Sequence, residues 1–402
     1  MRILKIIGKI FFYLIMDVVW LISGLVQKDK NLWVFGSWFG SKFADNSKYL
    51  FLYVKKHQPK IRPVWLTRSS ELLKKLREKG YEAYKTYSIN GFLYSIKAGC
   101  IIMSVGLDDV NRFTTLRSKK VQLWHGTPLK KIGYDDGIFF SPVNPYWHIF
   151  FPFTKEEYDM AVATSPLSRD RLSSALRLPL DNIVITGYPR NDVLLNSTTI
   201  PDALSDIKEQ YHYRYLIFYL PTFRGQMGSE FDPFTNYGFD ANKIEKSLEE
   251  INALLLIKSH PFNHIKDKGL LEKLHRSKRI KLISNSDFGG DIYPILRYTD
   301  ILVTDYSSVY FDFLLLNRPI IFAPFDIERY VKRDREFYYN YNDVTPGPKA
   351  KDWDELLSYI KEAIYNPEKY ESERKRICRM FNSYNDPNSS ERVYKAIMEI
   401  IK

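Results

Sequence analysis

The chain is predicted to be an α/β protein of two Rossmann-like domains facing across a cleft, preceded by an apolar helix. Three observations predict this. Short runs of β-branched and aromatic residues alternate with helix-period segments through most of the 402 residues. The runs form two sets separated by a polar stretch. Residues able to do chemistry follow the ends of the runs, where open parallel sheets bind their ligands.

The first element is Ile3–Val26, with Arg2, Lys5 and Lys9 at its start. No small-residue cleavage pattern follows it, as a signal peptide would require. Its length suits a membrane span. Lys5, Lys9 and Asp17 interrupt the run, however, and a charge near mid-bilayer costs about 3 kcal/mol. The preferred reading for residues 1–28 is a helix lying on the inner membrane face with its basic residues toward headgroups. The alternative is an ordinary buried helix.

The first set of expected strands is Leu32–Gly36, Pro63–Thr67, Cys100–Val105, Val121–Trp124 and Ile183–Thr186. The second is Tyr215–Leu220, Ala253–Lys258, Ile280–Ile283, Ile301–Thr304 and Pro319–Ala323. Each is bounded by turn or polar residues. Ser70–Lys79 and Lys243–Asn252 exemplify the helices between them, and the alternation implies parallel sheets with crossover helices. The polar stretch Asn196–Gln210 reads as the connection. The expected domains are 29–195 on the acceptor side and 211–370, with terminal helices in 371–402 that can pack back on the first domain.

Composition narrows the function. Hydrophobic residues make up 45% and charged residues 26%, which excludes general disorder. The formal charge of +12 suits an anionic partner: nucleic acid, a phosphorylated substrate or a membrane surface. The lysines are scattered rather than clustered in runs, which argues against a nucleic-acid binder. Cys100 and Cys378, the two cysteines, fit a reducing compartment and form neither a disulfide framework nor a zinc site.

Five polar clusters sit at strand ends. Leu123–Asp135 (LWHGTPLKKIGYD) places His125 after a strand, with Gly126 and Pro128 forcing a turn and Lys130 and Lys131 following. A histidine held there can serve as a general base near neutral pH; a surface-loop histidine is the plain alternative. Ile257–Phe262 (IKSHPF) presents Lys258 and His260, the latter suited to a phosphate oxygen or a leaving phosphate, or to a satisfied core position. In Ile301–Pro319 the strand ends at Thr304, and Asp305, Ser307 and Ser308 follow. One serine is expected to cap a helix running to about Leu316, stopped by Asn317 and Pro319, whose start can hold an anion. Arg190 in TGYPRND and Arg224 in YLPTFRG can bind phosphate bidentately, though lone arginines are often solvated surface groups. Arg333–Pro348, containing Arg335, is an aromatic and charged loop suited to a nucleobase or an acceptor.

Phosphate-loop, GxGxxG and HExxH motifs are absent. The one carboxylate pair of the D-x-D kind, Asp352 and Asp354, reads with Glu355 as a helix cap. No dedicated metal site and no cofactor are therefore expected.

Taken in order, HGTPLK, GYPRND, PTFRG, KSHP, TDYSS followed by FDFLLLNRPIIFAP, and a late PGP resemble the CDP-glycerol glycerophosphotransferase family of wall teichoic acid primases and polymerases. The set spans about Trp33 to Pro348. The resemblance implies a GT-B-like fold, CDP-glycerol as donor bound by the second domain, a lipid-linked glycan or polymer acceptor, and attachment to the cytoplasmic membrane face. It implies His125 as the base and His260 beside the donor diphosphate. Ser307 and Ser308 would face phosphate, and Arg190 and Arg224 would fill basic turn positions. One departure stands out: the late loop of the family usually reads Arg-Gly-aromatic-Tyr, whereas here Glu336 replaces the glycine. A CDP-ribitol transferase and a nucleotide-sugar glycosyltransferase are the alternatives.

Overall fold

The computed structural model describes residues 2–136, 145–196, 200–222, 232–234, 236–258, 267–284 and 287–402. His260 and Arg224 lie outside the described residues.

The chain divides into two compact units. The first comprises Met1–His125, Phe140–Asp192 and Asn388–Lys402; the second comprises Gly126–Phe139 and Val193–Pro387. The segment after His125 groups with the second unit rather than the first. Of the terminal helices, Glu371–Phe381 belongs to the second unit and Ser389–Ile401 to the first. The stretch expected to be a plain connection contains a helix, Asp202–Tyr211.

In the first unit seven strands form one sheet. They are β1 Asp29–Phe35, β2 Arg62–Thr67, β3 Ala83–Lys85, β4 Ala98–Met103, β5 Lys119–Gln122, β6 Met160–Ala163 and β7 Ile183–Ile185, in the order β3-β2-β1-β4-β5-β6-β7. In the second unit β8 Tyr215–Leu220, β9 Ala253–Ile257, β10 Ile280–Leu282, β11 Ile301–Thr304 and β12 Ile320–Phe322 run in the order β10-β9-β8-β11-β12. All described strand pairings are parallel. Both sheets therefore have the doubly wound pattern the sequence predicts. Two strands escaped the sequence reading. β3 has three residues, and β6 reads Met-Ala-Val-Ala, in which Val162 is the one strong strand former beside two alanines of weak strand preference; all four are buried.

Each sheet is covered on its faces by helices whose ends carry their own signals. The helix Ser70–Glu78 starts where Ser69 accepts from the Leu72 N–H. At Trp353–Tyr365, Asp352 accepts from the Glu355 N–H at 2.8 Å while Glu355 accepts from the Lys351 N–H. These carboxylates are a cap, as expected. In the first core Trp65 meets Phe43 and Phe51 edge-on, and in the second Trp353 meets Tyr219 and Phe239 edge-on. Burying each such side chain contributes roughly 1.5–3 kcal/mol, plus about 0.5–1.5 for a well-set ring pair.

The first helix is Arg2–Leu25. It is anchored on one side: Tyr13 packs against Trp147, Phe151 and Phe153, and Phe12 against Phe113. Its other side is open. Phe11, Leu14, Ile15, Val18, Leu21, Ile22 and Leu25 are all exposed, so the buried-helix alternative does not hold. Residues Gly8–Leu25 are long and apolar enough to cross a membrane by length and composition.

Candidate active site

In the first unit the carboxyl ends of β1, β4, β5 and β7 converge on His125. β5 ends at Gln122, and its side chain turns the chain: Gln122 accepts from the Trp124 N–H at 3.0 Å and donates to the Val105 carbonyl at 3.1 Å. Trp124 is thereby held at a φ of 57°, a left-handed conformation that costs a tryptophan energy. His125 follows, half-buried, with its ring against Trp124 and Trp38.

The imidazole is fixed chemically as well as sterically. Its Nδ1 lies 3.0 Å from the Ser104 carbonyl oxygen at the end of β4. A carbonyl only accepts, so Nδ1 carries the hydrogen and Nε2 carries the basic lone pair. Ser104 is itself held. Its N–H donates to Asp109 at 2.9 Å, and its hydroxyl shares a hydrogen bond of 2.7 Å with Ser47. Asp109 also accepts from the N–H groups of Val105 and Phe39, at 2.7 and 2.6 Å. It thus ties the β1 and β4 loops together. Burial pushes the Asp109 carboxyl up to about 6, against the opposing pull of those N–H donors.

Arg190 meets different partners from those expected. Its guanidinium, 4% exposed, pairs with Asp45 at 2.8 Å and donates to the His125 carbonyl oxygen at 2.9 Å. This is a brace for the histidine backbone rather than an open phosphate clamp. Asn46 completes it: its side chain accepts from the Arg190 N–H and donates to the carbonyls of Leu123 and Trp124. Trp38, Phe39 and Asp45 also have positive φ, at 49°, 55° and 63°. Four non-glycine residues in this conformation around one histidine mark stored strain.

The remaining described site residues lie in the second unit. Lys130 pairs with Phe337 in an antiparallel bridge, flanked by Lys131 N–H to the Glu336 carbonyl at 2.8 Å and Tyr338 N–H to the Leu129 carbonyl at 2.9 Å. Arg335 lies 3.4 Å from the buried Asp136 carboxylate. Glu336, which replaces a glycine of the family pattern, is not at positive φ, and its carboxylate pairs with Lys131. The position accommodates a side chain and gives it a partner.

Lys258 follows β9, and Asp305 to Ser308 follow β11; in the sheet these two strands flank β8. Asp305 is fully buried, and its carboxylate accepts from the N–H groups of Thr222 and Tyr306. It shapes the turn that presents Ser307 and Ser308, both half-buried. The capping expectation is corrected here. The helix is Val309–Phe313, continued by a 3-10 turn Leu314–Leu316 and stopped by Asn317 at a φ of 50°. Ser308 makes no side-chain cap, and Ser307 reaches the Val309 N–H only at 3.5 Å. The hydroxyls are therefore not committed to strong capping bonds.

Sequence reasoning missed Asp45, Asn46, Ser104 and Asp109. Asp45 and Asn46 follow the Gly-Ser-Trp-Phe-Gly turn after β1, so the strand-end rule would have found them had it been applied to the first strand. Among the described residues no group of three or more His, Cys, Asp or Glu is placed to hold a metal ion.

A family model described as CDP-Glycerol:Poly(glycerophosphate) glycerophosphotransferase matches residues 19–399. A teichoic acid glycerol-phosphate transferase of Staphylococcus aureus is 28% identical over 387 residues, covering 92% of this chain and 94% of its own. A teichoic acid poly(ribitol-phosphate) polymerase of Bacillus spizizenii is 31% identical over 290 residues, covering 69% of this chain but only 43% of its own. Among solved structures, the wall teichoic acid polymerase TagF matches with a TM-score of 0.75 at 24% identity, covering 100% of this chain and 97% of that one. That likeness shows the fold.

Proposed function

The chain belongs to the CDP-glycerol:poly(glycerophosphate) glycerophosphotransferase family, and from that premise we propose that it transfers glycerol phosphate from CDP-glycerol to a hydroxyl of a lipid-linked or surface-glycan acceptor. The transfer serves teichoic-acid or capsular polymer synthesis at the cytoplasmic membrane face. The observation that carries this reading is the Nδ1–H of His125 donating to the Ser104 carbonyl, which leaves Nε2 as the base. Nε2 takes the acceptor proton as the hydroxyl oxygen attacks the phosphorus nearer glycerol. The new O–P bond forms, the bond to the CMP phosphate breaks, and CMP leaves with the electron pair. Ser307, Ser308, Lys258 and Arg335, with His260 and Arg224, are proposed to hold the diphosphate. Cationic and hydroxyl donors of this kind neutralise developing charge without a dedicated metal.

The test is CMP release by the full-length protein with CDP-glycerol and lipid-linked glycans. His125→Ala should lower turnover by roughly 10²–10⁴-fold. A folded variant that keeps most of its turnover removes the assignment. A ribitol donor is the second reading, favoured by the 31% identity to a ribitol-phosphate polymerase; CDP-ribitol in the same assay separates the two.

A further inference from the structure

The second unit contains a cavity of about 820 Å³ whose lining includes none of Lys258, Ser307, Ser308 and Arg335. Its walls come from Tyr237 and from two segments beyond the carboxyl end of β12: Pro324–Arg333 and Tyr341–Lys351. Five cations line it, namely Arg329, Lys332, Arg333, Lys349 and Lys351, against Asp326 and Glu328. Asp326 is buried and accepts from the Tyr306 hydroxyl. Lys349 is committed to the carbonyls of Thr345 and Gly347. Lys332, Arg333 and Lys351 are exposed, and their side chains make no ion pair among the described residues.

A plain account covers part of this. Lys332 and Arg333 lie in the last turn of the helix Ile327–Arg333, where cations offset the helix dipole. Lys349 and Lys351 belong to another segment and gain nothing from that helix. Like charges gathered around one concave wall raise the local concentration of anions. The first wall segment runs on in sequence to Arg335, which pairs with Asp136, and to Phe337, which bridges Lys130 within the same unit.

The aromatic residues decide which anion fits. Tyr237 and Phe325 line the cavity but stack on each other, with centroids 4.9 Å apart and planes 25° apart. A nucleobase has no open slot between them. Exposed, unpaired cations suit instead a flexible chain carrying repeated phosphates, held by charge and able to slide.

We propose that this cavity is a subsite for a phosphodiester chain, the polyanionic end of the growing polymer. The identity of that polymer rests on the transferase reading above; the site itself rests on the cavity and its cations. Binding is measured on the full-length protein with synthetic glycerol-phosphate oligomers of increasing length. Affinity should rise with length and fall steeply between about 50 and 200 mM salt. Lys332→Glu, Arg333→Glu and Lys351→Glu combined should weaken binding of the longer oligomers by about ten-fold or more. A control triple, Lys56→Glu, Lys60→Glu and Lys79→Glu, changes the net charge equally at exposed positions of the first unit and should bind like wild type. Equal loss in both triples, or no loss in the cavity triple, overturns the site. Wild-type CMP release with a single-unit acceptor is measured separately. If it is absent while cavity-dependent binding persists, the transferase reading fails and the site stands.

Discussion

The guanidinium of Arg190 donates to the backbone carbonyl oxygen of His125 at 2.9 Å while its buried partner Asp45 lies 2.8 Å away. One residue thus links β7 to the β5 end and to the β1 loop. Removing one member of a buried pair leaves an uncompensated charge and costs about 3–5 kcal/mol. Arg190→Ala should therefore lower thermal stability strongly. One guanidinium nitrogen serves both partners; Arg190→Lys keeps the charge, but its shorter, flexible ammonium is not held at that point by a rigid planar group, so it should retain more stability than Arg190→Ala yet lose turnover. Full turnover in a folded Arg190→Lys variant would show that the brace is dispensable.

Gly36 makes a second, independent claim on the same loops. A Cβ placed there would lie 2.1 Å from the Asp109 carbonyl oxygen. The β1 end and the Asp109 turn touch through backbone, so Gly36→Ala must push them apart and drag the Ser104 carbonyl away from the imidazole. The expected result is a loss of about 1–3 kcal/mol, as for overpacking elsewhere, with a fall in kcat. Wild-type melting and turnover in this variant would contradict the close approach.

The strand ends were legible from sequence because apolar runs punctuated by Gly, Pro and charge announce themselves, as at Leu123–Lys131 and Ile301–Ser308. The roles of particular residues were less so. Arg190 and Asp305 look like ligand groups in one dimension, because an arginine or aspartate after a strand carries no mark of burial. Only the fold shows that Arg190 faces Asp45, far away in sequence, and that Asp305 is consumed by two backbone N–H groups. Asp109 was invisible for the same reason: its partners at Phe39 and Ser104 come from different strands.

Asp109 should also leave a signature in pH. Its folded-state pKa, about 6, exceeds the ordinary carboxyl value of 3.8. Between those values the folded protein keeps a proton that the unfolded chain has lost. Its contribution to stability is therefore fully present below pH 3.8, declines as pH rises to about 6, and is flat above. The total is on the order of 3 kcal/mol. In Asp109→Asn this slope should vanish, and one side of the amide would face N–H donors that it cannot accept, costing a further ~1–3 kcal/mol. Stability curves of wild type and variant that stay parallel from pH 4 to 6 would refute the assignment.

The first helix offers the test of membrane association. Phe11, Leu14, Val18, Leu21 and Leu25 recur at helical spacing on the side away from Tyr13 and its aromatic partners. That stripe faces out while Tyr13 holds the helix to its own unit. If the stripe enters lipid, each buried methylene contributes about 0.8 kcal/mol, and basic residues at the start of the helix add attraction to anionic headgroups. Phe11→Asp, Leu14→Asp and Val18→Asp together should then release the full-length protein from vesicles containing anionic lipid. Its melting temperature should change little, because these side chains are already exposed. A large drop in melting temperature would mean that the stripe is covered by protein, and retained vesicle binding would mean that another surface carries the attachment.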